Sequence, residues 1–178
     1  MKGNQKIIDT LNSLLAYELA AMDQYFVHAE MYKDWGLYSL YERIAHEFDD
    51  EKMHAGKLIE RMLFLEGTPD MVSRVGFLVG TDVTSMLESD LRVEVTVAEE
   101  LKKAIALCEV AKDFVTREIL ESLLEDTEMD HAYWLEQQLG LIKMIGLQNY
   151  TQSQIKASGE LPGICLLYTS DAADDLFR

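Results

Sequence analysis

The stretch HEFDDEKMHAGKLIERM, residues 46–62, decides the fold. It contains a Glu-x-x-His motif, Glu51 to His54, within a run whose apolar residues keep helical spacing. Positions i and i+3 lie on one face of an α-helix about one turn apart, so a carboxylate and an imidazole at this spacing can bind one metal ion together. Glutamate is frequent in this chain, so a single motif of this kind is weak evidence by itself.

A second Glu-x-x-His motif, Glu128 to His131, occurs in a later helical run. Glu18 and Glu94 are lone acids among apolar residues on two further predicted helices. One Glu from each of two helices, with one Glu-x-x-His from each of the other two, is a known inward-facing ligand set for two metal ions in a four-helix bundle. The six predicted metal ligands are Glu18, Glu51, His54, Glu94, Glu128 and His131.

Carboxylate and imidazole ligands suit iron, and the order of the motifs predicts symmetric roles in a di-iron centre. Each iron is expected to have one terminal carboxylate and one histidine, with two further carboxylates shared between the irons. The terminal pairs are Glu18 with His54 and Glu94 with His131, and the predicted bridging residues are Glu51 and Glu128.

Apolar periodicity predicts an all-α chain with four long helices and a short fifth helix. Glycines follow the first and fourth helices at Gly36 and Gly146, and Pro69 lies just beyond the second. Residues 66–81 form a connection long enough to cross the bundle rather than turn tightly back. The predicted helices span about residues 4–34, 37–65, 82–111, 113–145 and 148–156.

Composition limits the class of protein. The chain has 178 residues, enough for one domain, and a formal net charge of −16, which disfavours nucleic acid as a partner and favours cations. We predict no membrane segment or signal peptide, and two cysteines provide no disulfide framework, which is typical of the cytoplasm. The domain is expected to span residues 1–160, and residues 161–178 to be a non-native or disordered tail.

At these motifs the sequence resembles bacterioferritin, and the likeness covers essentially residues 1–160. The resemblance implies a ferritin-like four-helix bundle with a short fifth helix, a hollow cage of 24 subunits, ferroxidase activity and ferric mineral stored inside. The stretches that carry it are LLAYELAAMDQYFVHAEMYKDWG, HEFDDEKMHAGKLIERMLFLEG, MLESDLRVE and DHAYWLEQQLGLIKMIGLQNY.

The sequence departs from the family at the position that binds haem. Bacterioferritins bind haem between paired subunits through a methionine directly after the first Glu of the motif, and here that residue is Lys52. Met53 follows, but one step along a helix rotates a side chain by about 100°. We therefore expect no haem b in a cage made of this chain alone, and the chain to resemble a haem-poor subunit that shares a cage with a haem-binding sister chain.

A second departure lies before Glu128, where the fourth helix is one residue longer than is usual in the family. The extra residue could be absorbed by a π-bulge, or it could leave Glu128 displaced.

Three further residues receive predicted roles. Tyr25 lies seven residues after Glu18 on the same helical face, and we expect it to hydrogen-bond a bridging carboxylate or to donate an electron during oxidation; the alternative is a buried tyrosine that only packs. His46 and Asp50 are spaced i,i+4 and match positions that resemble the family's inner-surface iron site; the alternative is a solvated polar face.

The predicted function is iron oxidation and storage with O2 or H2O2 as oxidant, and a ferredoxin-type protein is a candidate electron donor for iron release. Two alternatives stay open. One is a di-iron or di-manganese peroxidase or oxidase that stores nothing, and the other is a non-catalytic helical assembly protein. A DNA-coating mini-ferritin is disfavoured by the acidity and the ligand set.

Overall fold

The computed structural model describes residues 2–156, and all regular secondary structure in that range is helical. The predicted all-α class is confirmed, while the predicted tail at residues 161–178 lies outside the described residues. The helices are α1 Gln5–Asp34, α2 Tyr38–Phe64, α3 Val83–Ala111, α4 Phe114–Asp126, α5 Tyr133–Ile145 and α6 Leu147–Ser153, with a π-helical turn, Thr127–Ala132, joining α4 to α5.

The predicted boundaries agree with the observed ones to within a few residues because the local end signals operate as expected. Asn4 accepts a hydrogen bond from the Lys6 amide at the start of α1. Asp82 and Ser85 form a reciprocal capping box at the start of α3. Gly146 has a φ of 81° where α5 ends, a backbone conformation that glycine adopts without cost.

Four helical rods form the bundle: α1, α2, α3, and a fourth rod made of α4, the π-helical turn and α5. They enclose two apolar clusters, one toward each end of the bundle. One contains Leu15, Leu58 and Leu101, and the other contains Tyr32, Leu40 and Met86. Five polar side chains are also buried, at levels of the helices between these clusters: Glu18, Glu51, His54, Glu94 and His131. The bundle therefore has a polar layer between two dry cores.

The connection between α2 and α3 crosses the bundle, as predicted, and a buried polar cluster anchors it. His28 accepts a hydrogen bond from the Gly80 amide at Nε2 (3.0 Å), so its Nδ1 carries the proton and donates to Asp90 (2.8 Å). Gln24 also donates to Asp90 (2.7 Å) and accepts from the Leu78 amide (3.2 Å). These contacts fix the crossover to α1 and α3.

None of the helices within residues 2–156 has the length and apolar character needed to cross a bilayer.

Asp90 tests the anchoring of the crossover. Asp90→Leu leaves donors of Gln24 and His28 buried without an acceptor, at a cost of about 1–3 kcal/mol for each orphaned group. We expect a clearly lower midpoint of thermal unfolding by circular dichroism, whereas the exposed control Asp9→Leu changes stability by less than about 0.5 kcal/mol. Equal midpoints for the two variants would show that this cluster does not stabilise the fold.

Candidate metal centre

Five of the six predicted ligands converge on the polar layer. Glu18 comes from α1, Glu51 and His54 from α2, Glu94 from α3 and His131 from the π-helical turn. Each of them is at most 2% exposed, a level that acids and histidines reach only when they are paired or bind a metal.

The five side chains form two three-residue groups that share Glu51. In the first group, His54 Nδ1 lies 3.3 Å from Glu51 Oε2 and 3.9 Å from Glu18 Oε2. In the second, His131 Nδ1 lies 3.0 Å from Glu51 Oε1 and 3.5 Å from Glu94 Oε2. Because the two oxygens of Glu51 face different histidines, this carboxylate is placed to bridge two ions.

Several atoms of the candidate ligands have no hydrogen-bond partner among the described residues. Among the residues that the structure describes, both carboxylate oxygens of Glu18, Oε2 of Glu94 and Nδ1 of His131 are buried without a hydrogen-bond partner. Such atoms cost free energy unless something binds them. The donor set of carboxylates and imidazoles therefore fits hard or borderline divalent cations such as Fe(II).

The site buries three carboxylates close together, and their pKa values diverge. Burial and then the charge of Glu51 raise the pKa of Glu18 well above its usual range. Burial also acts to raise the pKa of Glu51, but contacts with Glu18, His131 and His54 outweigh burial and lower it. Burial followed by Glu51 raises the pKa of Glu94.

The pKa of His131 is raised by the carboxylates around it, although burial acts to lower it. Burial is outweighed by the nearby carboxylates of Glu51 and Glu94, which raise the pKa to about 12. A divalent cation bound at this site would compete with protons for the same carboxylate and imidazole atoms.

Tyr25 contacts the ligand set through Glu94, a predicted terminal ligand, and not through a bridging carboxylate as the sequence predicted. Its hydroxyl donates to Glu94 Oε1, and its ring is 1% exposed. Burial, followed by the charge of Glu94, raises the pKa of Tyr25 well above its usual value, so the phenol stays protonated. Since the bond uses Oε1, Glu94 Oε2 remains directed toward His131.

Glu128 does not join the site, which corrects the bridging role predicted for it. Its side chain is 43% exposed and pairs with Lys102 at 2.5 Å. The inward position is instead taken by Thr127, which is 1% exposed. The extra residue anticipated in the fourth rod is absorbed by the π-helical turn Thr127–Ala132.

The spacing of buried residues along the fourth rod explains why the Glu128 side chain is displaced from the site. Buried positions follow the order Leu120, Leu123, Thr127, His131 and Leu135, so Thr127 stands four residues from both Leu123 and His131. In a regular helix without the extra residue, Glu128 would hold that inward position. The wider π turn keeps His131 facing inward and leaves Glu128 one position off the buried stripe.

Glu47 is a buried residue that received no predicted role. It is 2% exposed, and its Oε2 lies 3.0 Å from His131 Nε2. Burial raises its pKa to about 7. The signal in the sequence was its spacing, because Glu47 precedes Glu51 by four residues and so shares the inward face of α2.

The structure brings His46 and Asp50 together beside this site, with His46 Nε2 3.4 Å from Asp50 Oδ2. Asp50 also approaches His131 Nε2 at 3.8 Å and forms a possible cation-binding group with Glu47, Asp130 and His131. His46 is largely exposed and is not part of that group.

Fold and site together define a four-helix carboxylate bundle with paired metal-binding groups in its core. Residues 8–145 match the model of the ferritin family, described as a ferritin-like domain. The chain belongs to this family.

Relatives extend the same likeness over most of the chain. A bacterial ferritin of Pseudomonas aeruginosa is 57% identical over 155 residues, which are 87% of this chain and 100% of that protein. A bacterial ferritin of Synechocystis is 55% identical over 155 residues, 87% of this chain and 99% of the relative. A bacterioferritin of Brucella melitensis is 36% identical over 152 residues, 85% of this chain and 94% of the relative.

Deletion of Thr127 tests the register explanation. Without this residue the rod can continue as a regular α-helix, and Glu128 stands four residues after Leu123 and three before His131. We expect Glu128→Ala to leave Co(II) affinity nearly unchanged in the natural chain. In the deletion background the same substitution should weaken affinity by about tenfold, the equivalent of one charge-assisted contact.

Co(II) affinity is measured by titration with visible absorption for all four chains of this cycle. A Glu128→Ala effect of equal size in both backgrounds would contradict the register explanation.

Proposed function

We propose that this chain is a ferroxidase subunit of an iron-storage protein, with Fe(II) as its substrate. The observation that carries the proposal is Glu51, whose two oxygens face separate histidine and glutamate groups. Iron storage is the role attached to the names of the relatives, and the buried paired site supplies the oxidation that storage needs.

The residues of the site hold two Fe(II) ions close together in the buried core of the bundle. Glu18 and His54 bind one ion, Glu94 and His131 bind the other, and Glu51 binds both. Two Fe(II) ions give two electrons to O2, which takes up two protons and leaves as H2O2, or to H2O2, which also takes up two protons and leaves as two water molecules. Both irons become Fe(III).

The protein contributes charge balance and proton control to this step. Three carboxylates, Glu18, Glu51 and Glu94, offset most of the charge of two divalent ions. Because the pKa values of Glu18 and Glu94 are raised, protons compete with the ions for these carboxylates. Tyr25 keeps Glu94 oriented through its hydroxyl, and its closeness to the site makes it a candidate electron donor during oxidation.

We propose that the product Fe(III) moves to the interior of a 24-subunit cage and is stored there as mineral. His46 and Asp50 are proposed to receive iron on the inner surface, which is supported by their 3.4 Å separation beside His131. The proposed setting is the cytoplasm, with a ferredoxin-type protein as electron donor for release.

The residues present do not fit haem b in a cage of this chain alone. The position that would supply the haem methionine is Lys52, an exposed lysine, and Met53 is 58% exposed one residue further round the helix. An ammonium group is a poor neighbour for an apolar haem slot. We propose that haem enters only in a mixed cage with a haem-binding sister subunit, and one haem per subunit pair in the pure protein would contradict this.

Glu51→Ala tests the oxidation directly. Loss of the shared carboxylate should slow the oxidation of Fe(II) in air, followed by ferric absorbance, by about a hundredfold, equivalent to about 2.7 kcal/mol. The control Glu42→Ala, on the same helix but 55% exposed, should oxidise Fe(II) at the natural rate. Equal rates for the two variants would remove the proposed site.

Storage is tested separately from oxidation. The natural chain should elute as a cage-sized particle and retain many irons per subunit as mineral. Rapid oxidation without a retained mineral would instead favour a non-storing di-iron oxidase or peroxidase.

A further inference from the structure

Each histidine of the metal centre faces a further carboxylate through Nε2, the ring nitrogen that is not directed at Glu51. His54 uses Nδ1 toward Glu51 and faces Asp126 Oδ2 with Nε2 at 3.4 Å. His131 uses Nδ1 toward Glu51 and Glu94, and its Nε2 lies 3.0 Å from Glu47 Oε2. The arrangement is the same on both sides of the site.

This arrangement fixes which nitrogen of each ring is available to a cation. A histidine binds a metal ion through an unprotonated nitrogen, so the other nitrogen must carry the proton. A carboxylate that accepts this proton's hydrogen bond selects the tautomer, orients the ring and makes the ligand nitrogen more basic. Glu47 stands at that place for His131.

The two carboxylates that face the histidine Nε2 atoms, Asp126 and Glu47, differ in exposure and in their own contacts. Asp126 is 52% exposed, and Lys57 lies 3.8 Å from the same oxygen. Glu47 is 2% exposed and forms an ion pair with Arg43 Nε at 2.5 Å. Arg43 is itself held from two further sides, by Asp130 at 2.9 Å and by the ring of Trp134.

The ion pair with Arg43 holds the Glu47 side chain in a position to serve as an acceptor. A guanidinium at 2.5 Å keeps one oxygen occupied and the side chain in place, which leaves the other oxygen directed at His131.

We propose that Glu47, held by Arg43, is the positioning residue that sets His131 as an Nδ1 ligand of the second metal ion. This inference rests on the proposed function, because it assumes that the two groups sharing Glu51 bind a pair of ions. Glu47 itself does not bind either ion. It acts through the ring of His131.

Co(II) is the probe, because its visible absorption reports ligand geometry independently of iron oxidation. The full chain is titrated with Co(II), and bound ions are counted by equilibrium dialysis. The natural chain should bind two Co(II) ions at the paired site. Glu47→Leu should still bind two, with one ion weakened by about 10–100-fold and with a shifted visible band.

Glu47→Gln separates positioning from folding. Its shape matches glutamate and it retains one acceptor oxygen, so it should fold and weaken the same ion by about tenfold, the lower end of the expected range. The matched controls are Glu42→Leu and Glu42→Gln, which change an exposed glutamate of the same helix and should leave both ions at natural affinity. Thermal unfolding of each variant shows whether the fold is intact.

Three results would overturn the inference. If both Glu47 variants bind the ion pair with natural affinity and an unchanged spectrum, Glu47 does not position His131. If they lose a third ion while the pair is unaffected, Glu47 is a ligand of a separate site with Asp50 and Asp130. If the natural chain binds no ion pair, the proposed function fails and this inference fails with it.

Discussion

Burial of mutually repelling acids in one layer is the constraint on which the rest of the structure depends. Glu18, Glu51 and Glu94 lie between two dry cores, where an isolated carboxylate is strongly disfavoured. The layer is tolerable because the histidines and the Tyr25 hydroxyl satisfy part of it. A pair of divalent cations would satisfy the same atoms more completely, so the proposed site would draw its affinity for metal from the unmet demand of these buried acids.

Long rods and a rigid crossover maintain this layer. Ligands come from four separate elements, so a shift of one rod along its axis would separate them. The crossover is tied to α1 and α3 by the buried His28–Asp90 pair, and the start of α4 is tied to α2 by Arg61, which contacts Asp113 at 2.8 Å. These polar contacts set the register that apolar packing alone leaves adjustable.

Much of the fold and site could be predicted from the sequence because local rules act strongly here. Helical periodicity and end signals predicted the helices. The Glu-x-x-His spacing predicted that His54 lies beside Glu51, because residues three apart share one face of a helix independently of tertiary packing. Glu128 could not be placed in this way, because one added residue has two outcomes, a π turn or a shifted helix, and packing chooses between them. Glu47 was missed because its role depends on a ring contributed by another rod.

The central claim is that Glu51 joins two metal-binding groups into one site. Diffraction from crystals soaked in Fe(II) without oxygen, with anomalous scattering recorded at the iron edge, tests it most directly. The account predicts two peaks on opposite oxygens of Glu51, one beside His54 and one beside His131, with Glu128 bound to neither. A single peak, or peaks away from Glu51, would contradict it.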